Sequence, residues 1–333
     1  LILHPSSFLF LIFSSLILHP SSFLHAADWP TFRGNWARTG YVAEQAAPPL
    51  TKVWEYQAGA GIISSPAVFD DVVYFGARDG WIYALKARTA NAQGELLWLF
   101  KTGGWVDASP AVSGDAVYVP SLDGYLYALN RLTGVLLWKA ALGASSASSP
   151  LVLDGKVFAG SGSPEKKLKV FNALTGKLLS EYRAGQPVDS APSTDGTKVY
   201  FGANDGAVYA LDKNNFSLAW SYETRGGNYG MSAVAVSSGI VYALPGYDEN
   251  KPVALDASDG RLLNRLSAPF EESDSWEQLG SPAVAGDSVY FSGGASKNTL
   301  YAMSAYPVDD ALPYVWPSSP TLGNTSKLGI LSS

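Results

Sequence analysis

Residues 108–139 read ASPAVSGDAVYVPSLDGYLYALNRLTGVLLWK. Short apolar runs alternate in this stretch with turn signals, of which Asp123-Gly124 strongly favours a hairpin. A second turn is expected at Thr133-Gly134, just before the last apolar run and its tryptophan. The pattern therefore predicts four antiparallel strands, which cover residues 108–112, 116–119, 125–129 and 135–139.

This pattern occurs six times along the chain. Each copy contains a Val-Tyr or Val-Phe pair, and successive pairs are 44, 40, 42, 42 and 48 residues apart. In five of the six copies a proline lies seven positions before the valine, and Val234 takes that place in the fifth copy. A period near 40 built from short strands and Gly-rich turns predicts an all-β fold, a β-propeller of four-stranded antiparallel blades. The valines and the repeat prolines are Val73, Val117, Val157, Val199, Val241 and Val289, and Pro66, Pro110, Pro150, Pro192 and Pro282.

The spacing of the fourth-strand tryptophans predicts how the ring closes. Trp54, Trp98 and Trp138 each lie twelve residues before a repeat proline, so Lys52–Tyr56 reads as a fourth strand without a blade of its own. The last repeat ends near residue 305 without an obvious fourth strand. We therefore predict six blades, with Lys52–Tyr56 beside Leu300–Met303 and no free sheet edge. A competing strand at residues 314–316 would leave the N-terminal strand unpaired and indicate a seventh blade.

The propeller is predicted to span residues 51–305, after an N-terminal extension at 28–50 and before a partly disordered C-terminal tail at 306–333. Residues 1–27 are apolar, carry no Lys or Arg, and end in Ala26-Ala27, which is typical of a secretory signal. They lack an initiator Met and a basic start, and a retained membrane anchor is the alternative. We expect export to the periplasm or the extracellular space, with no stable membrane insertion after processing.

Composition argues against several function classes. The chain is 47% hydrophobic and 16% charged, with a formal net charge of -6 and no basic patch, so we expect no nucleic-acid partner. It contains no cysteine, and its three histidines all precede residue 28. His and Cys supply most general bases, nucleophiles and transition-metal ligands in proteins. We therefore predict no catalytic residue and no metal site.

Residues 128–138, with Thr133-Gly134 and Trp138, resemble the pyrroloquinoline-quinone-type (PQQ-like) β-propeller repeat of the BamB-like superfamily, with Asn130 where the repeat has Asp. Residues 28–41 look like the start of secreted, non-lipidated members of that group. The resemblance covers residues 28–305 and implies the fold, but the name of the repeat does not imply a bound quinone. It also implies that the fourth-strand tryptophans dock structurally between neighbouring blades; these are Trp54, Trp98, Trp138 and Trp220.

The candidate binding residues lie in the loops that lead into the first strands, because propeller ligands usually bind at the axis. Asp107 and Asp189 both stand three residues before a repeat proline, where the other blades have apolar residues. Two carboxylates at one channel mouth could bind a cation or perturb each other's pKa; alternatively, each caps a strand or pairs with Arg225. The aromatic residues could form a platform for a peptide or a sugar, or simply pack between loops. The predicted axial set is Trp105, Asp107, Asp189, Arg225, Asn228, Tyr229 and Trp276.

These observations favour a non-enzymatic, monomeric scaffold that binds an envelope or extracellular protein, or a saccharide, through its axial face. The alternative is a quinoprotein dehydrogenase, which would use PQQ and calcium; otherwise we predict no cofactor. Such enzymes often carry an adjacent cysteine pair and a Glu, Asn and Asp calcium set, and neither can be aligned with this chain. A carbohydrate-binding propeller is a further alternative, supported by the exposed aromatic residues.

Overall fold

The computed structural model of the chain describes residues 28–43, 49, 51–223, 232–244, 252–265, 280–292 and 300–305. The signal-like segment 1–27 and the tail 306–333 lie outside these ranges. Within the described ranges every regular element is a β-strand, and the strands form six antiparallel sheets in chain order. Contacts join the first strands of successive sheets, as expected for propeller blades around one axis. The predicted fold class is thus confirmed, and the six sheets agree with the predicted number of blades.

The first five sheets have four strands each, and the sixth has three described strands. Sheets one to three contain β1 (Ala67–Phe69), β2 (Val72–Gly76), β3 (Trp81–Lys86), β4 (Leu96–Lys101), β5 (Ala111–Ser113), β6 (Ala116–Pro120), β7 (Tyr125–Asn130), β8 (Leu136–Ala141), β9 (Leu151–Leu153), β10 (Lys156–Gly160), β11 (Lys167–Asn172) and β12 (Leu178–Arg183). Sheets four to six contain β13 (Ser193–Thr194), β14 (Lys198–Gly202), β15 (Ala207–Asp212), β16 (Leu218–Glu223), β17 (Ala235–Ser237), β18 (Ile240–Ala243), β19 (Val253–Asp256), β20 (Leu262–Arg265), β21 (Ala283–Ala285), β22 (Ser288–Ser292) and β23 (Leu300–Ser304).

In three of the five four-stranded sheets, the first, second and fourth, a tyrosine, an alanine and a tryptophan pair across the second, third and fourth strands. In the second sheet Tyr118 pairs with Ala128, which pairs with Trp138. The register then shifts by one residue between Ala128 and Leu129, and the other four-stranded sheets shift at the same place. This β-bulge leads into the Thr-Gly turn, which Asn130 stabilises because its Oδ1 accepts the backbone N–H groups of residues 132 and 133.

Each fourth-strand tryptophan docks on the next sheet. Trp138 Nε1 donates to the carbonyl of Ala173 at 2.9 Å, and its ring lies against Gly176. A Cβ atom on Gly176 would stand only 2.6 Å from the indole, so this position needs glycine for space as well as for its φ of +70°. The same arrangement joins Trp54 to Ala87 and Gly94, Trp98 to Arg131 and Gly134, and Trp220 to Ala257 and Gly260.

The junction between the third and fourth sheets exchanges these roles. Ser180 stands where the first, second and fourth blades have tryptophan, and Phe216 occupies the glycine position of the following turn. Phe216 keeps the positive φ of that turn, at +62°, and its ring packs edge-on against Phe158 of the preceding sheet. The large side chain has therefore moved across the junction while the space between the sheets stays filled.

The predicted closing strand requires a correction. Among the described residues, Lys52–Tyr56 pairs with no strand, and β23 pairs only with β22. The side chain of Trp54 holds the segment against the first sheet, since its Nε1 donates to the carbonyl of Ala87 at 2.8 Å. Lys52–Tyr56 thus takes the place of a fourth strand on the flank of the first sheet without forming the predicted ladder with Leu300–Met303.

We predict that Trp138→Ala destabilises the protein by about 3–5 kcal/mol, because the substitution removes a large aromatic group from the junction and one of the two hydrogen bonds to the Ala173 carbonyl. Urea denaturation measures the change. Leu137→Ala is the matched control, since Leu137 is the adjacent residue of the same strand and is 49% exposed. Equal effects of the two substitutions would contradict the docking role.

The exchanged junction predicts strong coupling between two positions. Ser180→Trp alone should destabilise the protein by about 1–3 kcal/mol through overpacking against Phe216. Phe216→Gly alone should destabilise it by about 1–3 kcal/mol, less than the cost of truncating a fully buried aromatic residue, because Phe216 is half-buried and glycine suits its φ of +62°. The double variant recreates the tryptophan-glycine pair and should be more stable than the sum of the single effects predicts. A double-mutant cycle from chemical denaturation measures this coupling, and additivity would refute it.

Candidate functional site

The axis of the propeller is occupied by the chain's own N-terminal segment. In five of the six sheets, the backbone N–H two positions after the repeat proline, or after Val234, donates to a carbonyl of residues 29–39. These N–H groups lie on the edges of the first strands that face the axis, so the segment satisfies donors that would otherwise lack partners. The bonds run from Val68 to Trp29, Val112 to Pro30, Thr194 to Trp36, Val236 to Ala37 and Val284 to Thr39.

Arg38 contacts the remaining third sheet in a different way, because its guanidinium group donates to backbone carbonyls of that sheet instead of accepting from an N–H. Its side chain is fully buried, with 0% exposure, and its guanidinium group donates only to neutral oxygens. Burial and, to a smaller extent, the nearby positive charge of Arg33 together lower the pKa of Arg38 to about 9. The acceptors are the carbonyls of Phe32, Ser149, Pro150 and Pro192 and the hydroxyl of Thr31.

Arg33 connects the segment to the sixth sheet. Its Nη2 donates to the carbonyl of Pro282 at 2.7 Å, and burial lowers its pKa to about 10. In the described part of the chain, no carboxylate lies within ion-pair distance of Arg33 or Arg38. The segment reaches the turns between first and second strands, where the Asp70 N–H donates to Asp28 Oδ1. It therefore leaves the opposite end of the axis, where the first strands begin, as the place for a binding surface.

At that opposite end, Trp105 forms part of a small, rigid cluster. Its side chain is 52% exposed, and the guanidinium carbon of Arg78 lies 4.9 Å from the centre of its ring. Arg78 also makes a two-pronged ion pair with Asp107, with Nε–Oδ1 and Nη2–Oδ2 distances of 3.0 and 2.9 Å. Hydrogen bonding to Asp107 raises the pKa of Arg78. This pairing holds the arginine over the indole and presents the outer part of the tryptophan to solvent.

Asp189, the second predicted carboxylate, has a different environment. Its Oδ2 accepts a hydrogen bond from Asn204 Nδ2 at 2.8 Å. Burial raises the pKa of Asp189, and the bond from Asn204 opposes that rise. Among the described residues no cation pairs with this half-buried carboxylate, and its raised pKa makes the position a candidate for a functional role.

The two predicted carboxylates thus have different partners in the structure. Asp107 pairs with Arg78 of the preceding blade, whereas Asp189 bonds to Asn204 of its own blade. The remaining predicted residues, Arg225, Asn228, Tyr229 and Trp276, lie outside the described residues. In the described ranges, no three His, Cys, Asp or Glu side chains come together as a metal site would require. The described side chains at this end of the axis are suited to recognition by stacking and hydrogen bonding.

Sequence reasoning missed two arginines that organise the axis. Arg78 lies four residues after the strand tyrosine Tyr74, where the corresponding loop of the fourth blade has Asn204. Comparing the loops between second and third strands would have singled it out, because the other five repeats have no cationic residue at that position. For Arg38 the available signal was a pair of arginines within a short segment rich in Trp and Gly, which says nothing about where that segment lies.

Comparisons with known proteins agree with this architecture. A family profile described as "Outer membrane protein assembly factor BamB" matches residues 87–163 and 161–309. BamB from Moraxella catarrhalis has a similar structure, with a TM-score of 0.60 and 19% identity over 76% of this chain and 83% of that chain. The quinohemoprotein alcohol dehydrogenase from Comamonas testosteroni matches with a TM-score of 0.67 and 16% identity over 83% of this chain. That match covers 58% of the alcohol dehydrogenase. A europium-containing methanol dehydrogenase matches with a TM-score of 0.63 and 16% identity over 72% of this chain and 58% of that chain.

Two further searches gave negative findings. No curated protein sequence matches the chain. In the part of the chain that the structure describes, no helix is long and apolar enough to cross a lipid bilayer.

We predict that Asp189→Asn increases the free energy of unfolding at pH 7, because asparagine keeps the shape of the side chain without a buried charge. The folded-state pKa of Asp189 is raised, so its ionisation costs stability as the pH rises through that value. Below the unfolded pKa of about 4 both states are neutral, and the difference from the parent should vanish. Thermal denaturation between pH 3 and pH 7 measures this, and a variant less stable than the parent at pH 7 would contradict it.

Proposed function

Because this chain belongs to the family of the outer membrane protein assembly factor BamB, we propose that it is a non-enzymatic scaffold of the cell envelope that binds a partner protein through its axial face. The family is named for an assembly factor, and its members share the PQQ-like repeat found here. Export to the periplasm or the extracellular space is part of the proposal, supported by the signal-like segment at residues 1–27.

The observation that carries the proposal is the arrangement of Trp105. An aromatic ring that is 52% exposed and stacked under a charge-paired arginine loses little conformational freedom when a partner covers it. Tryptophan and arginine are also the residues most often found at the energetic centre of protein interfaces. The cluster Arg78, Trp105 and Asp107 therefore has the composition and the rigidity of a protein-binding anchor.

The surroundings of the two predicted carboxylates favour a binding role over a catalytic role. Asp107 forms an ion pair with Arg78, and Asp189 accepts a hydrogen bond from Asn204. Both of these predicted carboxylates therefore already have a partner. Residues 28–333 contain no His and no Cys that could act as a proton shuttle or a nucleophile. The quinoprotein dehydrogenases share the fold at low identity and are considerably longer than the matched region. A dehydrogenase role remains the second candidate because of that shared fold.

We predict that Trp105→Ala weakens capture of the envelope partner by at least about thirtyfold, which corresponds to the roughly 2 kcal/mol of a central interface residue. Immobilised parent and variant proteins are incubated with envelope extract, and captured proteins are identified and quantified by mass spectrometry. Leu137→Ala is the matched control, because Leu137 is an exposed apolar residue on an outer strand. Both variants should keep the thermal unfolding temperature of the parent within a few degrees.

Three results would overturn the proposal. Equal capture by Trp105→Ala and the parent would place the binding surface elsewhere. Calcium-dependent binding of the quinone cofactor at micromolar affinity, with quinone-dependent reduction of a dye, would favour the dehydrogenase. Binding of soluble polysaccharides lost in Trp105→Ala, without capture of any protein, would favour a carbohydrate-binding propeller.

A further inference from the structure

Asp107 and Asp189 occupy equivalent positions in their blades, because each stands three residues before a repeat proline. Their partners can therefore be compared within one molecule. Asp107 receives a cation from the preceding blade, since Arg78 of the first blade pairs with it through hydrogen bonds of 3.0 and 2.9 Å. Asp189 forms no ion pair with any residue in the part of the chain that the structure describes.

A repeated backbone hydrogen bond shows which residue of each blade corresponds to Arg78. In the first four blades, the second residue after the second strand donates its N–H to the carbonyl five positions before the repeat proline. The blade before Asp189 thus has Gly162 where the blade before Asp107 has Arg78. Glycine has no side chain, so the third blade supplies no cation to Asp189 from this position. The four donors are Arg78, Leu122, Gly162 and Asn204.

The lysines that follow Gly162 are held elsewhere. Lys166 Nζ donates to the carbonyl of Gly185 at 3.3 Å. Lys167, the first residue of β11, forms an ion pair with Glu181. Neither lysine lies within ion-pair distance of Asp189, so the loop between β10 and β11 does not neutralise this carboxylate.

Asn204 adds a second unsatisfied acceptor beside Asp189. Its Nδ2 donates to Asp189 Oδ2 at 2.8 Å, which fixes the two side chains against each other. Its Oδ1 is buried and has no hydrogen-bond donor among the described residues. A buried amide oxygen without a donor is costly, and a carboxylate accepts several hydrogen bonds. The pair is therefore complemented by a cation that carries more than one N–H donor.

Asp189 is also accessible enough to receive such a group. The residue is half-buried and lies at the end of the axis where the first strands begin. Burial raises its pKa, and only the hydrogen bond from Asn204 opposes the rise. A carboxylate in this situation gains more from an arriving positive charge than one that is fully hydrated, because the cation replaces the solvation lost on burial.

We propose that Asp189 and Asn204 receive a cationic side chain of the partner protein, in the place that Arg78 fills beside Asp107. The inference rests on the function proposed above and assigns the chemistry of one contact with the partner. Arginine suits the site best, because its planar guanidinium group donates to two acceptors at once. Asp107 already has a cation of this chain, so the partner's cation is directed to Asp189.

Titration with a small probe tests the site without the partner. The probe is Nα-acetyl-arginine amide, and the uncharged Nα-acetyl-citrulline amide is its control. Binding to the full chain is followed by NMR through the side-chain amide signals of Asn204, which are assigned by their loss in Asn204→Ala. We expect saturable shifts with the arginine probe alone. In Asp189→Asn the dissociation constant should rise by at least about tenfold.

The chain itself offers two matched variants for this titration. Arg78→Ala removes the built-in cation from Asp107 and should create a second site of the same kind, so the backbone amide of Asp107 should then also shift with the arginine probe. Asp115→Asn removes one negative charge from the exposed turn between β5 and β6, at the opposite end of the axis, and should leave probe binding unchanged.

Capture from envelope extract connects the site to the partner. Asp189→Asn should weaken capture by at least about tenfold, although the same variant is predicted to be more stable than the parent. A carboxylate with a purely structural role would not combine a gain in stability with a loss of binding. If Trp105→Ala weakens capture and Asp189→Asn does not, the inference fails while the proposed function stands. If neither variant weakens capture, both fail.

Three results of the titration would also contradict the inference. Absence of saturable binding of the arginine probe would show that Asp189 takes no external cation. Equal binding of the citrulline probe would show that the site recognises hydrogen-bond donors without charge. Binding that appears only after Arg225→Gln would show that a cation of the chain itself occupies Asp189.

Discussion

The contact on which this architecture depends is the indole of one blade resting on a glycine of the next. Trp138 shows both parts of it, since its ring fills the space above Gly176 and its Nε1 bonds to the Ala173 carbonyl. A four-stranded sheet with two apolar faces is not stable alone, so each blade depends on its neighbours for burial. The docked tryptophan sets the distance and orientation at which that burial occurs.

The junction between the third and fourth blades shows that the constraint is volume and not residue type. There Ser180 replaces the tryptophan, and Phe216 replaces the glycine, so the large group comes from the opposite sheet. Dense packing tolerates such an exchange because only the total filling of the space matters. The backbone of the turn is retained as well, since Phe216 keeps a positive φ.

At the axis a different constraint applies, because the first strands turn one unpaired edge towards the centre of the ring. Unsatisfied backbone groups there would be costly in a place that the blades themselves cannot reach. Residues 29–39 supply carbonyl acceptors to five blades, and Arg38 reaches the remaining one with side-chain donors. One end of the axis is filled in this way, and at the opposite end Arg78 holds Trp105 in an exposed position.

The division between sequence and tertiary structure follows from the range of the contacts. The sequence alone determined the all-β class, the six repeats and the strands of each blade, because these depend on periodicity within about 40 residues and on local turn chemistry. It also indicated the tryptophan docking, through a motif that recurs at constant spacing. It could not determine that Arg38 bonds to Pro192, 154 residues away, or that Asp107 pairs with Arg78. Those contacts each occur once and join distant segments, so no repeated spacing encodes them. Only the closed arrangement of blades around the axis brings their partners within hydrogen-bonding distance.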